Sequence, residues 1–185
     1  MKLSRGIDAI NERIGRAVRW LVLAMVLIGA FNAVARYLGR WIGLNLSSNA
    51  YLEAQWYLFS LVFLLGAAYT LKHDGHVRVD VLYGRLSKRG QAWIDLIGTV
   101  VFLMPFCVFC LWVSWPTVHN SWIVREGSAD PGGLPRYPIK SMILVAFVLL
   151  LAQGVAEAAR KIALLRGELP AVAHEHQGSD SDPTT

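Results

Sequence analysis

The stretch YLEAQWYLFSLVFLLGAAYTL, residues 51–71, decides the fold because it holds one charged side chain, Glu53, in roughly six helical turns. A helix needs about 20 apolar residues to cross the hydrocarbon core of a bilayer. Further apolar runs occupy residues 20–35, 93–115 and 139–156. Hydrophobic residues make up 55% of the 185-residue chain and charged residues only 17%, which is too little polar surface for a soluble domain.

We therefore predict an all-α integral membrane protein. Its four transmembrane helices are expected at about residues 18–38, 51–71, 93–115 and 139–160, once flanking residues are allowed to snorkel or the helices to tilt. Together these spans form one transmembrane domain over residues 20–158. The third span begins and ends with tryptophans, as is typical of the two membrane interfaces.

Two segments outside the spans have the pattern of interfacial amphipathic helices. In the charged N-terminal segment, residues 1–19, apolar residues recur every three or four positions: Ile7, Ile10, Ile14 and Val18. In the loop after the second span the same pattern is formed by Val79, Leu82, Tyr83 and Leu86. The polar, proline-containing tail, residues 167–185, is predicted to be disordered.

Lys and Arg are unevenly distributed between the spans. Residues 1–19 carry five and the loop at 72–92 carries five, whereas the first and third loops carry two each before Lys140. Because cytoplasmic loops are enriched in basic residues, both termini and the 72–92 loop are predicted to be cytoplasmic. This bias and anionic lipid account for the net charge of +5, so no nucleic-acid partner is needed.

The N-terminal region allows a second interpretation. A charged segment, an apolar run and the tripeptide AVA at residues 33–35 resemble a signal peptide with its cleavage site. The charged segment is long for a signal peptide, and Asn32 interrupts the apolar run. We therefore expect a retained span, with cleavage as the alternative.

Two motifs raise the question of metal or redox chemistry. HDGHVRVD, residues 73–80, concentrates histidine and aspartate, but a metal site would need both histidines and Asp80 to converge with a fourth ligand. We interpret the stretch as a turn that leads into the second interfacial helix. Cys107 and Cys110 lie in the middle of the third span, where thiols are expected to pack as small apolar groups.

Few groups inside the spans could carry transport or catalysis. Glu53 lies roughly 5 Å from the outer interface, and Asp95 is similarly shallow on the cytoplasmic side. No carboxylate, histidine or arginine lies near the midplane. We therefore expect no catalytic residue, no cofactor and no metal, and this chain by itself lacks the parts of a pump.

Two polar stripes remain to be explained. Small and polar residues share one face of the second span, and this pattern favours close packing against a neighbouring helix, either of a partner or of this bundle. They are Glu53, Tyr57, Ser60 and Ala67. The fourth span ends in a second stripe, which marks either the helix leaving the membrane or a polar contact with a partner. It consists of Gln153, Glu157 and Arg160.

Three segments follow one another in a recognisable order: YLEAQWYLFSLVFLLGAAYTLK from Tyr51, HVRVDVL from His76 and EGSADPGGLPRYPIK from Glu126. On four spans with both ends inside, this order resembles the small membrane subunit, DctQ-like, of tripartite ATP-independent periplasmic (TRAP) transporters. The resemblance covers about residues 15–165. It rests on the combination of the three segments rather than on any single motif.

The resemblance implies partners and a role in the bacterial inner membrane. A periplasmic solute-binding protein would deliver a small organic acid or a related solute to a large multi-span permease subunit. That subunit would move the solute inward by an elevator motion that a sodium gradient drives. This chain would be the fixed scaffold beside it, embedded in the lipid bilayer.

The resemblance also implies roles for particular residues. Glu53 and Gln55, with Tyr57 and Ser60 of the same helix, would contact the large subunit. The cytoplasmic turn and interfacial helix would be ordered by His76, Arg78 and Asp80. The extracytoplasmic loop, where the binding protein would dock, would be shaped by Glu126, Ser128, Gly133 and Pro135.

Three other classes of protein fit parts of the sequence. A small proton-coupled exporter, working as a homodimer, would use Glu53 as its coupling carboxylate. A membrane anchor subunit of a haem oxidoreductase would need histidines deep in a span, but His73, His76 and His119 lie at helix ends or in loops. The chain could also be a structural assembly factor for an unrelated complex, and only the family resemblance argues against this interpretation.

Overall fold

The computed structural model describes residues 2–44, 46–73 and 86–166, and these residues are helical apart from short connections. The four helices in chain order are α1 (Lys2–Ile42), α2 (Asn49–Lys72), α3 (Lys88–Ile123) and α4 (Tyr137–Leu165). Each contains a stretch long and apolar enough to cross a membrane. The prediction of an all-helical chain with four membrane-spanning helices is confirmed for the described residues.

Helix α4 lies at the centre of the bundle, because it packs against each of the other three helices. Helices α1 and α2 pack side by side, and α3 lies against α4. The buried residues of α4 are small apart from one: Ala146, Gln153, Gly154, Ala156 and Ala158. In lipid the hydrophobic effect does not drive helices together, so close approach depends on such small residues.

Glycine allows α1 to approach α2 closely. A β-carbon on Gly15 would overlap the ring of Tyr69, and one on Gly29 would lie 2.9 Å from Gln55 Oε1. Gln55 also donates a hydrogen bond to the carbonyl of Tyr51 in its own helix (3.3 Å). The α1–α2 contact is therefore fixed near both ends of α2.

Helix α1 runs without a break from the charged N-terminal segment into the first apolar run. The sequence predicted a distinct amphipathic segment at 1–19, whereas residues 2–19 continue directly into the first span. They are held in the bundle because Asn11 bonds Gln153 and Gly15 packs against Tyr69. The second predicted interfacial helix lies almost wholly outside the described residues, and the tail at 167–185 lies outside them entirely.

Helix α3 contains a wide turn before its first proline. In the π-helical stretch Gly98–Leu103, the Met104 N–H bonds the carbonyl of Thr99, five residues back. Pro105 follows at once. Since proline lacks an N–H and its ring crowds the carbonyl four residues earlier, a wider turn accommodates it without ending the helix. Cys107, in the next turn, is fully buried.

Helix α3 is longer than the sequence predicted. The span was expected to end near Trp115, with a loop beginning at Pro116, but the helix continues through Pro116 to Ile123. Proline inside a helix removes one hydrogen bond, but its fixed φ is compatible with helical geometry, so Pro116 does not by itself end the helix. The connection to α4 is correspondingly shorter.

Candidate functional site

The connection between α3 and α4 folds back onto the start of α2 and is held there by Glu53. Glu53 is 3% exposed, and its carboxylate accepts hydrogen bonds from the Ser128 hydroxyl and the Leu134 N–H. One turn along α2, the Tyr57 hydroxyl is shared between the carbonyls of Pro135 (3.1 Å) and Leu134 (3.3 Å). Two side chains of α2 thus fasten the connection to the bundle.

The backbone of this connection is shaped to reach Glu53. A β-carbon on Gly133 would lie 2.5 Å from Ser128 Cβ and 2.6 Å from Glu53 Oε2, so only glycine fits between them. The preceding Gly132 has a φ of +74°, a conformation that L side chains rarely adopt. At the near edge, Asn49 Nδ2 donates to the carbonyl of Pro131 (3.0 Å). The loop therefore follows one tightly specified path.

The end of α3 positions a second carboxylate. Arg125 has a φ of +47°, the Glu126 N–H bonds Ser121 O (3.0 Å) and the Arg125 N–H bonds Trp122 O (3.3 Å). This double closure of a helix C-terminus turns the chain back on itself. The Glu126 carboxylate consequently accepts a hydrogen bond from Ser121 Oγ (2.7 Å) and forms an ion pair with Lys140 of α4.

These groups form one site, which we call the loop cluster. It consists of Glu53, Tyr57, Ser121, Glu126, Ser128, Gly133, Leu134, Pro135 and Lys140. Both carboxylates are engaged by donors of the same chain. The arrangement clamps three helices through one loop.

The loop cluster makes a pH dependence testable. The Lys140 ammonium, helped by the Ser121 hydroxyl, holds the pKa of Glu126 below its ordinary value. A carboxyl group whose pKa is lowered by folding stabilises the fold at neutral pH, and this contribution is lost as the pH falls through the lowered pKa. We expect the melting temperature to fall on acidification below about pH 4, and to fall less in Glu126→Gln. Thermal unfolding in detergent from neutral pH to about pH 3 measures this, and parallel curves for the two proteins would contradict it.

At the opposite end of the bundle, polar side chains from different helices meet around Gln153. Gln153 is completely buried; it accepts a hydrogen bond from Asn11 Nδ2 (2.7 Å) and donates one to Asp8 Oδ1 (3.0 Å). Arg160 donates to the other oxygen of Asp8 (2.9 Å) and forms an ion pair with Glu157. Residues of α1 and α4 are thereby joined through a continuous chain of hydrogen bonds.

The same set of contacts reaches α3 through Lys161. Its ammonium pairs with Asp95 of α3 (2.7 Å) and lies 3.8 Å from Glu157 of its own helix. Both carboxylates are largely enclosed by protein. Lys161 therefore links α3 to the central helix, α4.

Helix α2 joins through its last residues. Lys72 pairs with Glu12 (2.6 Å) and also donates to the backbone carbonyl of Asp8 (3.3 Å). His73 Nε2 lies 3.0 Å from the same oxygen of Glu12. We call the whole set the end network. It consists of Asp8, Asn11, Glu12, Lys72, His73, Asp95, Gln153, Glu157, Arg160 and Lys161.

The residues singled out from the sequence are not all in one place. The loop cluster brings together Glu53, Tyr57, Glu126, Ser128, Gly133 and Pro135. Gln55 instead faces Gly29 of α1. Ser60 lies in a groove of about 350 Å³ between α2 and α4. The predicted cytoplasmic turn with His76, Arg78 and Asp80 lies outside the described residues.

Sequence reasoning missed the α1 half of the end network. Asp8, Asn11 and Glu12 lie in the N-terminal segment that the sequence predicted to be an amphipathic helix, and none of them was singled out. A signal was present, because Asp8 and Glu12 are the two acidic residues in a segment that carries five Lys and Arg, and Asn11 lies between them. The stripe of Gln153, Glu157 and Arg160 on the fourth span was noticed, but its partner helix was not.

The fold and the two clusters define a multi-pass membrane protein, a bundle of four helices whose ionic contacts lie at its two ends. The family model described as "Tripartite ATP-independent periplasmic transporters, DctQ component" matches residues 25–164. The chain belongs to this family. It is thus a component of a transporter, the small permease subunit, and not an enzyme, and it is a protein of the inner membrane. No curated protein and no solved structure matches the chain significantly.

Proposed function

We propose that this chain is the scaffold subunit of a sodium-driven transporter. It anchors a large multi-span permease subunit that takes up a small organic acid or a related solute from a periplasmic solute-binding protein. The placement of charge supports this proposal. Residues 20–35, 54–71, 96–118 and 141–156 contain no Asp, Glu, Lys, Arg or His, so the middle of each span offers no charged group for a coupling ion or solute.

The proposal includes an orientation in which both termini face the cytoplasm. The excess of Lys and Arg in residues 1–19 and in the 72–92 loop supports it. The end network then lies on the cytoplasmic side and the loop cluster on the periplasmic side. In this orientation the loop cluster holds the connection between α3 and α4 in a fixed shape for the binding protein.

The proposed contact with the large subunit centres on the groove between α2 and α4. Glu53 and Tyr57 contribute indirectly by holding the loop that leads into α4, whereas Ser60 lines the groove directly. Phe59 and Phe63 flank Ser60 and are 60% and 71% exposed. A small polar residue between exposed aromatic rings favours the close approach of another helix.

The function is tested by purifying the tagged chain from its native membranes in a gentle detergent and measuring the mass of the complex by native mass spectrometry. The proposal expects one copy of this chain with one much larger membrane protein. A second arm reconstitutes that complex with its binding protein in vesicles and measures solute uptake with and without a sodium gradient. A lone chain or homodimer under conditions that preserve other membrane complexes would refute the scaffold role.

The groove makes a matched pair of variants available. Phe63 of α2 and Phe102 of α3 are both 71% exposed in mid-span. We expect Phe63→Ala to weaken binding of the large subunit roughly fivefold, the equivalent of about 1 kcal/mol of lost packing. Phe102→Ala should leave binding of the large subunit unchanged. Both variants should fold as the wild type does. Equal recovery of the large subunit by the two variants would show that it contacts a face of this chain other than the groove.

The contacts of Glu53 and His73 favour this function over two alternatives. A small exporter needs a membrane carboxylate that exchanges protons with water, whereas Glu53 is buried and occupied by Ser128 and Leu134. A haem anchor needs histidine deep in a span, whereas His73 lies at the end of α2 beside Glu12. Both residues are used to hold the bundle together.

A further inference from the structure

An exposed stripe on α1 carries two arginines, then a tryptophan, then leucines. Arg16, Trp20, Leu23 and Leu27 follow at i, i+4, i+7 and i+11, so they share one side of the helix, and Arg13 lies one turn before them. All five side chains are exposed, Trp20 to 69% and Leu27 to 59%. We call these residues the α1 stripe.

The α1 stripe faces away from the bundle. The side chains of α1 at the same level that enter the bundle are Asn11, which bonds Gln153, and Gly15, which packs against Tyr69. With 100° per residue, Asn11 and Gly15 lie on the opposite side of the helix from Arg13 and Arg16. The stripe is therefore available to the surroundings along its whole length.

The positive charge of the α1 stripe is not neutralised within the described part of the chain. The two acidic residues of α1 are already taken, Asp8 by Arg160 and Glu12 by Lys72. Neither Arg13 nor Arg16 forms an ion pair with any described residue. Two guanidinium groups one turn apart attract anions, and their planar donor pairs match the oxygens of a phosphate.

The length and order of the α1 stripe match one leaflet of a membrane. Arg16 and Leu27 are eleven residues apart, about 16 Å along the helix axis. Half of the hydrocarbon core is about 15 Å thick. Cation, tryptophan and leucine thus follow one another as phosphate, interface and acyl chain do along the membrane normal.

We propose that the α1 stripe binds an anionic phospholipid. Arg13 and Arg16 hold its headgroup phosphate, Trp20 lies at the level of the glycerol, and the acyl chains run along Leu23 and Leu27. A lipid fits better than a protein helix because polarity changes along the stripe in step with membrane depth, and because unpaired arginines at headgroup depth attract anionic lipid. The inference requires only that α1 crosses the membrane, and it is independent of the scaffold role.

The test is a native mass spectrometry titration of the purified chain, with the large subunit where it co-purifies. The probes are phosphatidylglycerol and phosphatidylcholine with identical acyl chains, and inorganic phosphate in a third arm. We expect phosphatidylglycerol to bind more tightly than phosphatidylcholine. The double variant Arg13→Ala, Arg16→Ala should lose about 30-fold in affinity for phosphatidylglycerol, at roughly fivefold for each arginine.

A matched control lies at the other end of the same helix. Arg40 is an exposed arginine beside Tyr37, with its guanidinium carbon 6.0 Å from the ring centroid. Arg40→Ala should bind phosphatidylglycerol as the wild type does. The variant Arg13→Lys, Arg16→Lys keeps both charges and should retain most of the affinity for phosphatidylglycerol. This result would show that the alanine double variant binds weakly because it lost charge, not because it lost its fold.

Four results would overturn the proposal. They are equal binding of the two lipids, unchanged binding by the alanine double variant, displacement of the lipid by inorganic phosphate at a similar concentration, and displacement of the lipid by the large subunit. The last result would assign the stripe to a protein partner. If the double variant fails to fold, the single alanine variants provide the same test, each with an expected loss of about fivefold in affinity for phosphatidylglycerol.

Discussion

Replacing Glu53 with alanine is expected to lower the melting temperature by about 5 °C or more and to reduce assembly with the large subunit. The carboxylate of Glu53 receives the Ser128 hydroxyl and the Leu134 N–H, so its removal leaves two donors of the loop without an acceptor. The loop then loses its main attachment to α2, and only the hydrogen bonds from Tyr57 and Asn49 remain among the described contacts between them. Differential scanning fluorimetry in detergent and recovery of the partner measure the two effects.

Two further variants define what Glu53 contributes. Gln55→Met is the matched control, since Gln55 lies two positions away on α2, and methionine keeps the length of the side chain that packs against Gly29 while losing only the hydrogen bond to Tyr51 of the same helix. It should change the melting temperature little. Glu53→Gln should lose less than Glu53→Ala, because the amide oxygen can still accept from Leu134 while the Ser128 hydroxyl rotates to accept from the amide nitrogen. Equal melting temperatures of Glu53→Ala and Gln55→Met would show that the loop is held by other contacts.

Replacing Gln153 with leucine is expected to destabilise the bundle by about 2 kcal/mol. Leucine keeps most of the volume but removes both the acceptor for Asn11 and the donor to Asp8, and Gln153 is completely buried. Asn11 depends on this bond, because its own amide oxygen has no partner among the described residues. Hydrogen bonds between membrane helices are individually worth about 0.6 kcal/mol on average, so the larger figure reflects the buried amide of Asn11 left without an acceptor and the lost bond to the charged Asp8.

A double-mutant cycle tests the coupling in the end network. Asn11→Ala and Gln153→Leu should together cost about 1 kcal/mol less than the sum of the single variants, because each removes the same bond. Thr70→Val serves as the control. The hydroxyl of Thr70 bonds only Gly66 O of its own helix (3.0 Å), so its loss should add independently to that of Gln153. Additive costs for Asn11 and Gln153 would mean that the network does not tie α1 to α4.

The loop cluster was partly visible in the sequence. Glu53, Tyr57, Glu126, Ser128, Gly133 and Pro135 were all singled out, but as two separate groups on a helix and a loop. Glu53 and Leu134 are 81 positions apart, and no local pattern relates them. Their meeting depends on where α3 ends, and the sequence placed the end of the third span near Trp115, where tryptophans mark a membrane interface, whereas the helix continues to Ile123.

The end network was harder to predict. Charge alternation in residues 1–19 indicated an amphipathic helix, and the helix exists, but the same residues pack against α2 and α4 within the bundle. Asn11 and Gln153 are 142 positions apart. Which face of α1 turns inward depends on the small residues of α4 and on Gly15, and their effect appears only when helices are packed.

The four membrane-spanning helices, the absence of charge from their middles and the resemblance to the family can all be recognised from the sequence. Those properties are local, since hydropathy over about 20 residues suffices to define a span. The roles of Glu53 in fastening the loop, of Gln153 in joining α1 to α4 and of α4 as the central helix become visible only when the helices are packed together. The reason is that buried hydrogen bonds form between residues that are distant in the chain, and which of them meet is fixed by how the helices pack.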